Sequence, residues 1–239
     1  MRRILALLNL VFSTIFLSFI AIIIAPFNCS EKINNALARL WARLHLFVSG
    51  IKVISEGSEN IEVTPCVFMC NHESVLDIFA LYCSLDVPFK WIAKKELFSV
   101  PFLGWALKAG GHIDMDRKNP RKAVKALNRA AHYLEEGKNI IIFPEGTWGR
   151  GDRLLPFKRG GFNLAIKVDV PITPVAIKGT GRLQPEGSYV PKSKGLINVS
   201  IGKPIYHSKD ISSRARLMEE VRIEIERLLA ENNDGELNI

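Results

Sequence analysis

From Ile4 to Ser30 the chain carries no charge, and the 22 residues ILALLNLVFSTIFLSFIAIIIA, Ile4 to Ala25, are mostly apolar. At ~1.5 Å of rise per residue, such a run makes a helix long enough to cross a bilayer. A cleaved signal fits less well, because its apolar part usually spans about 7–15 residues and ends at a small-residue site. Arg2 and Arg3 precede the run and stay on the cytoplasmic side by the positive-inside tendency. A single crossing would then put everything downstream on the far side. A re-entrant or monotopic pair of helices would keep both ends on the cytoplasmic side. The residues themselves leave this choice open.

The next stretch, EKINNALARLWARLHLFVSG, places Ile33, Ala36, Leu37, Leu40, Trp41, Leu44, Phe47 and Val48 at helical spacing. Lys32, Arg39 and Arg43 fall off that stripe. A basic amphipathic helix of this kind can lie in a membrane interface, or it can cover the core of the domain that follows. Residues 1–50 are therefore expected to form an N-terminal membrane-anchoring helical pair. The remaining 51–239 are long enough to bury one α/β core.

Strand-like and helix-like segments alternate beyond Gly50. IKVISEG, CVFMC, FKWIAKK, GHIDMD, NIIIF, ITPVAIKG and LINVSIG have the apolar runs or alternation of strands. SVLDIFALYCS, PFLGWALKAG, NPRKAVKALNRAAHYLEEGK, FNLAIKVD and SSRARLMEEVRIEIERLLAEN have the periodicity of helices. This order predicts an α/β fold, a mixed sheet flanked by helices with the N-terminal membrane-associated helical pair added. The net charge is +8, so an anionic partner is expected: a phospholipid surface, a phosphorylated small molecule or nucleic acid. Cys29, Cys66, Cys70 and Cys83 form no CxxC pair and no zinc spacing, which fits a reduced compartment.

Three segments can carry chemistry. NHESVLD, Asn71 to Asp77, joins an apolar strand to a helix. If the helix starts at Ser74, His72 lies in the preceding loop and can fold back over Asp77. A carboxylate on one ring nitrogen then fixes the tautomer and leaves the other nitrogen able to take a proton. Ser74 and Asp77 also match a helix capping box, which would explain both without any catalysis. In NIIIFPEGTWGRG, a buried strand runs into Glu145, Gly146 and Thr147 with Arg150, Arg153, Lys158 and Arg159 close behind. Ligands of α/β sheets gather at such strand ends, and backbone N–H groups with a basic loop suit an anion. An ordinary strand exit with a solvated basic loop has the same appearance. In GHIDMDRKNPRK, Arg117 follows a strand and suits phosphate. His112, Asp114 and Asp116 share one strand face there, yet no further ligand cluster supports a metal.

Taken together, the chain resembles the glycerolipid acyltransferases, most closely the 1-acyl-sn-glycerol-3-phosphate acyltransferases. NHESVLD is similar to that family's His-x4-Asp block. KKELFSVPFLGWALKAGGHIDMDR is similar to its second block and FPEGT to its third. VPITPVAIKG is similar to its Val-Pro-Ile-x-Pro run, and the order from about residue 50 to about 205 agrees. The resemblance implies that His72, oriented by Asp77, deprotonates the sn-2 hydroxyl of lysophosphatidic acid. That oxygen then attacks the thioester of acyl-CoA or acyl-carrier protein, giving phosphatidic acid. It makes Arg117 a binder of the acceptor phosphate, and Glu145, Gly146 and Thr147 parts of the acceptor site. Lys158 joins them as a substrate-binding candidate. No metal, no cofactor beyond the thioester and no nucleic acid are implied. A membrane-associated enzyme whose catalytic domain faces the cytoplasm is expected, because both lipids live at a bilayer.

One departure stands out. After Glu-Gly-Thr the family commonly has Arg then Ser, whereas Trp148 and Gly149 stand here, with Arg150 next. Arg150 could supply the missing guanidinium, or the acceptor could be another lysophospholipid or an amide-linked lyso-lipid. Two readings of other classes remain beside these. One is a non-catalytic basic membrane-surface protein. The other is a thioesterase or lipase using Ser74, although no GxSxG elbow surrounds it.

Overall fold

The structure is a computed structural model and describes residues 1–27, 30–61, 65–149 and 153–231. Among the described residues, seven strands form one sheet: β1 (Ile51–Glu56), β2 (Val67–Cys70), β3 (Phe89–Lys94), β4 (Ile113–Met115), β5 (Asn139–Ile142), β6 (Ile172–Lys178) and β7 (Gly195–Ile201), in the order β1-β7-β6-β2-β5-β3-β4. Every neighbouring pair is parallel except β6 and β7. The sheet is therefore mixed, as its strand–helix alternation predicts.

Helices cover both faces. In β2, Phe68 and Cys70 point into a core shared with α2 (Ser30–Ser49) and α3 (Leu76–Ser84). Val67 and Met69, one residue out of phase, point into the opposite core. That core is closed by α5 (Pro120–Glu135), α6 (Arg159–Val168) and α8 (Arg214–Glu231). A strand buried on both sides reads as a continuous apolar run, which is why CVFMC shows no alternation. Truncating Phe68, which is fully buried, is expected to cost ~3–5 kcal/mol. Start signals also work where expected: the Asn119 side chain accepts the Lys122 N–H, and Pro120 takes the first position of α5.

The helix expected over PFLGWALKAG is trimmed to α4 (Leu103–Ala109). Lys95–Ser99 form a separate 3₁₀ turn before it, and Phe102 takes a positive φ at its start. A four-residue helix, α7 (Thr180–Leu183), follows β6 with no forewarning in the sequence. Cys66 and Cys70 are buried thiols, and Cys29 lies outside the described residues.

The first helix, α1 (Arg2–Ile24), is among the described residues the one helix long and apolar enough to cross a membrane. It packs along α2 and against α4, and the Trp41 indole N–H donates to Thr14 Oγ1 at 2.9 Å. Phe12, Phe16 and Phe19 on its other side are exposed. The second helix is used on two sides. Ala42, His45, Leu46 and Ser49 are buried, whereas Leu40, Leu44 and Phe47 of the predicted apolar stripe lie exposed. Packing is continuous across residue 50, since Ala42 and Leu46 share a core with Phe79 and Ile197. Both ends of the helical pair meet the sheet domain in the same region. Arg2 reaches the Lys192 carbonyl at 3.5 Å, and the Gly195 N–H donates to the Gly50 carbonyl at 3.3 Å.

Candidate active site

The site grows from two neighbouring strands. β2 and β5 are parallel and paired, so their carboxyl ends open at the same edge of the sheet. β2 delivers Asn71 and His72, and β5 delivers Phe143 to Gly146. Asn71 fixes the exit. Its side-chain amide donates to the Ile177 carbonyl at 2.8 Å and accepts the Ile177 N–H at 2.7 Å, so a side chain continues the β2–β6 ladder. The backbone can then leave the sheet at His72 without stranding the groups on β6.

α3 begins at Leu76, two residues later than the sequence suggests, and His72 folds back over its first turn. The His72 Nδ1–H donates to Asp77 Oδ2 at 2.7 Å. The same oxygen accepts the backbone N–H groups of Glu73 at 2.8 Å and Ser74 at 2.9 Å. Asp77 thus does half of the capping-box work and orients the imidazole as well. The other half of the box is not made: Ser74 Oγ accepts from Leu76 N–H at 3.3 Å and donates to the Gln184 carbonyl at 2.8 Å. Ser74 is buried and committed, so the structure does not present it as a nucleophile.

The imidazole is stacked on Phe143, with ring centres 3.8 Å apart and planes 11° apart. Its outward nitrogen, Nε2, accepts the Trp148 indole N–H at 2.8 Å. With Nδ1–H given to Asp77 and Nε2 accepting from Trp148, the ring is a neutral imidazole whose basic lone pair is held by the indole.

Glu145 is placed differently from the expected acceptor contact. It is buried, its Oε1 accepts the His72 backbone N–H at 3.0 Å, and its Oε2 accepts the Leu155 N–H at 2.8 Å. It holds the histidine's backbone and the loop beyond, facing inward. Burial pushes its carboxyl above the usual range, against the pull of those two N–H donors. Gly146 sits at φ +69, and a Cβ there would strike the Lys158 side chain at 2.8 Å. Only glycine takes this turn comfortably while leaving room for that stem. The Arg117 guanidinium donates to the Gly146 carbonyl, so Arg117 and Lys158 converge on one turn. Thr147 lies beside them on the cavity wall, and Arg150 lies outside the described residues. His112, Asp114 and Asp116 each have a protein partner: Trp91 N–H, Arg129 and Lys95.

His72, Arg117, Phe143, Thr147 and Trp148 line a cavity of about 640 Å³, within the range of small-molecule pockets. Its other walls come from α1 (Leu17, Ala21), α2 (Leu37, Ala38) and α4 (Leu103, Leu107). The sequence did not reveal that the helical pair forms a wall of the site. It also gave no role to Phe143, an aromatic residue before PEGT, or to Trp148, which it marked only as a departure from the family pattern.

A match to a known family now decides the class. The family profile described as Acyltransferase matches residues 52–178, which hold His72, Asp77, Arg117 and the Glu145 turn. The 1-acyl-sn-glycerol-3-phosphate acyltransferase of Pseudomonas aeruginosa is 34% identical over 204 residues, covering 83% of this chain and 77% of that protein. The chain belongs to the acyltransferase family. Another member, the chloroplastic 1-acyl-sn-glycerol-3-phosphate acyltransferase BAT2 of Brassica napus, is 39% identical over 181 residues. The chain spans about half the length of that plant relative, 52%, with 75% of its own residues aligned. Among solved structures, the family member PlsC from Thermotoga maritima, described as a 1-acyl-sn-glycerophosphate (LPA) acyltransferase, superposes with a TM-score of 0.84 at 25% identity, covering 100% of both chains.

Proposed function

We propose that this protein transfers a fatty acyl group from acyl-CoA or acyl-carrier protein to the sn-2 hydroxyl of 1-acyl-sn-glycerol-3-phosphate, giving phosphatidic acid. The observation that carries this reading is the contact of His72 Nδ1–H with buried Asp77, at a ring that lines an apolar cavity together with the Trp148 that holds its Nε2. The hydroxyl proton passes to Nε2 as the oxygen bonds to the carbonyl carbon. The carbon–sulfur bond then breaks, and the departing thiolate takes the proton from the imidazolium. His72 returns to its neutral form, and no acyl-enzyme is formed. Asp77 stabilises the transient imidazolium, as a buried carboxylate does for a general base.

The remaining groups divide the two lipids between them. Arg117 and Lys158, converging on Gly146 with Thr147 beside them, offer an anion site for the acceptor phosphate. The cavity between α1, α2 and α4 suits an acyl chain, because Leu17, Ala21, Leu37, Ala38, Leu103 and Leu107 line it. The apolar side of α1 and the exposed stripe of α2 seat this cavity in a bilayer, where both lipids are found. Because both ends of the helical pair lie against the same domain, we read it as a re-entrant or monotopic anchor with the catalytic domain on the cytoplasmic side.

The test is a product assay. The purified protein is given a labelled acyl thioester and a panel of lysolipids that includes 1-acyl-sn-glycerol-3-phosphate, lysophosphatidylethanolamine and an amide-linked lyso-lipid. Phosphatidic acid as the dominant product supports the assignment. Preferential acylation of another lysolipid overturns the acceptor, and fatty acid release at the same rate with and without acceptors overturns acyl transfer.

A further inference from the structure

The Trp148 indole N–H occupies the one lone pair that the reaction needs. His72 gives Nδ1–H to Asp77 at 2.7 Å and takes Trp148 Nε1–H on Nε2 at 2.8 Å. An imidazole nitrogen has a single in-plane lone pair, so a substrate hydroxyl cannot donate to Nε2 while the indole does. The indole stands edge-on to the imidazole, 81° between planes, with ring centres 6.0 Å apart. Its loop is fastened to the same histidine, because the Gly149 N–H donates to the His72 carbonyl at 2.6 Å. Gly149 also lies close to Glu145 Oε2, where a Cβ would sit at 3.3 Å. The tryptophan is therefore held at the base by its own backbone. Both Trp148 and Thr147 line the cavity.

We propose that Trp148 is an acceptor-displaced gate: its indole N–H caps His72 Nε2 until a lysolipid hydroxyl replaces it, and this keeps the base from activating water against a bound acyl thioester. The inference rests on the acyl-transfer reading above. The reaction that the gate suppresses is hydrolysis. Water would give a proton to Nε2 as its oxygen bonds to the thioester carbonyl, and the carbon–sulfur bond would break to leave a fatty acid and a thiol. A residue in this place is a positioning residue, since it acts on the base and not on the reacting carbonyl.

The experiment uses the full-length protein in lipid nanodiscs, supplied with palmitoyl thioesters of CoA and of acyl-carrier protein, with and without 1-acyl-sn-glycerol-3-phosphate. Trp148→Phe keeps an aromatic ring and removes the N–H. The expected result is a rise of roughly 2- to 10-fold in the ratio of fatty acid released to acyl chain transferred, the size set by one hydrogen bond. The double variant Trp148→Phe/His72→Ala should lose the added hydrolysis, which separates a gate from loosened folding or a contaminating hydrolase. An unchanged ratio in Trp148→Phe overturns the gate. Raised hydrolysis in that variant, from a wild type that acylates another lysolipid in preference to 1-acyl-sn-glycerol-3-phosphate, overturns the acceptor assignment and leaves the gate standing. A second readout needs no turnover. The indole N–H signal in a ¹⁵N spectrum, assigned by its absence in Trp148→Phe, should shift when 1-acyl-sn-glycerol-3-phosphate is added. A signal that stays in place at a saturating concentration of a lysolipid that the wild type acylates overturns the gate.

Discussion

Two histidines look into one cavity and are prepared for opposite tasks. His72 keeps its proton on Nδ1, against a buried carboxylate, and presents Nε2 as a base. His112 accepts the Trp91 backbone N–H on Nδ1 at 3.1 Å, so a neutral ring carries its proton on Nε2, 3.4 Å from Tyr82 Oη. Burial, aided by the Lys90 ammonium, pushes the His112 pKa down to about 3. Among the described residues no carboxylate is bonded to this ring, whose partners are the Trp91 N–H and the Tyr82 hydroxyl. The comparison teaches that the partners decide what a histidine can do, because both rings share the cavity and an aromatic setting.

Asp77→Asn should break the contrast with the largest effect. The amide can no longer stabilise an imidazolium, and acyl transfer should fall by roughly 10²–10⁴ while circular dichroism stays native. A purely structural Asp77 would instead show normal turnover in the folded fraction. Arg117→Ala comes next. The KM for a phosphate-bearing acceptor should rise about 10- to 100-fold, the range for hydrogen bonds to charged groups, with kcat much less affected. An equal rise for a lysolipid lacking an exposed phosphate would remove the phosphate role.

His112→Phe sharpens the other half of the comparison. Turnover should change by less than about threefold, since the ring touches no reacting atom. Stability should drop by about 1–3 kcal/mol, because the buried Trp91 N–H loses its acceptor. The pH dependence gives a sign. The folded state holds the neutral ring to about pH 3, whereas the unfolded ring protonates near its ordinary value of about 6.5. Its contribution is therefore present above about pH 6.5 and is lost as pH falls toward 3. Chemical denaturation of His112→Phe between those limits should show a shallower acid slope than the wild type. The smallest effect belongs to Asp114→Asn, two residues away. Its ion pair with Arg129 is about half exposed on both sides, and its loss should move stability by no more than about 0.5 kcal/mol.

Much of this site was readable along the chain. The meeting of His72 and Asp77 depends on a strand exit and one helix turn, which local signals describe well. The end of β5 as a second contributor follows from the same strand–helix alternation. The inward turn of Glu145 was not legible, because its partners are backbone N–H groups of His72 and Leu155, set by tertiary packing. The same holds for α1 and α2. Their composition spoke of a membrane, but the wall they share with α4 depends on how the helices cross. Trp148 could be seen as a departure from the family pattern, yet its contact with Nε2 exists only once the β5 loop is folded over His72.

The central claim is best tested by single-turnover transfer from a labelled acyl thioester to 1-acyl-sn-glycerol-3-phosphate, comparing wild type with His72→Ala at matched folded concentration. The account predicts phosphatidic acid from the wild type and at least about a 10²-fold slower rate from the variant. Equal rates from the two proteins would contradict it.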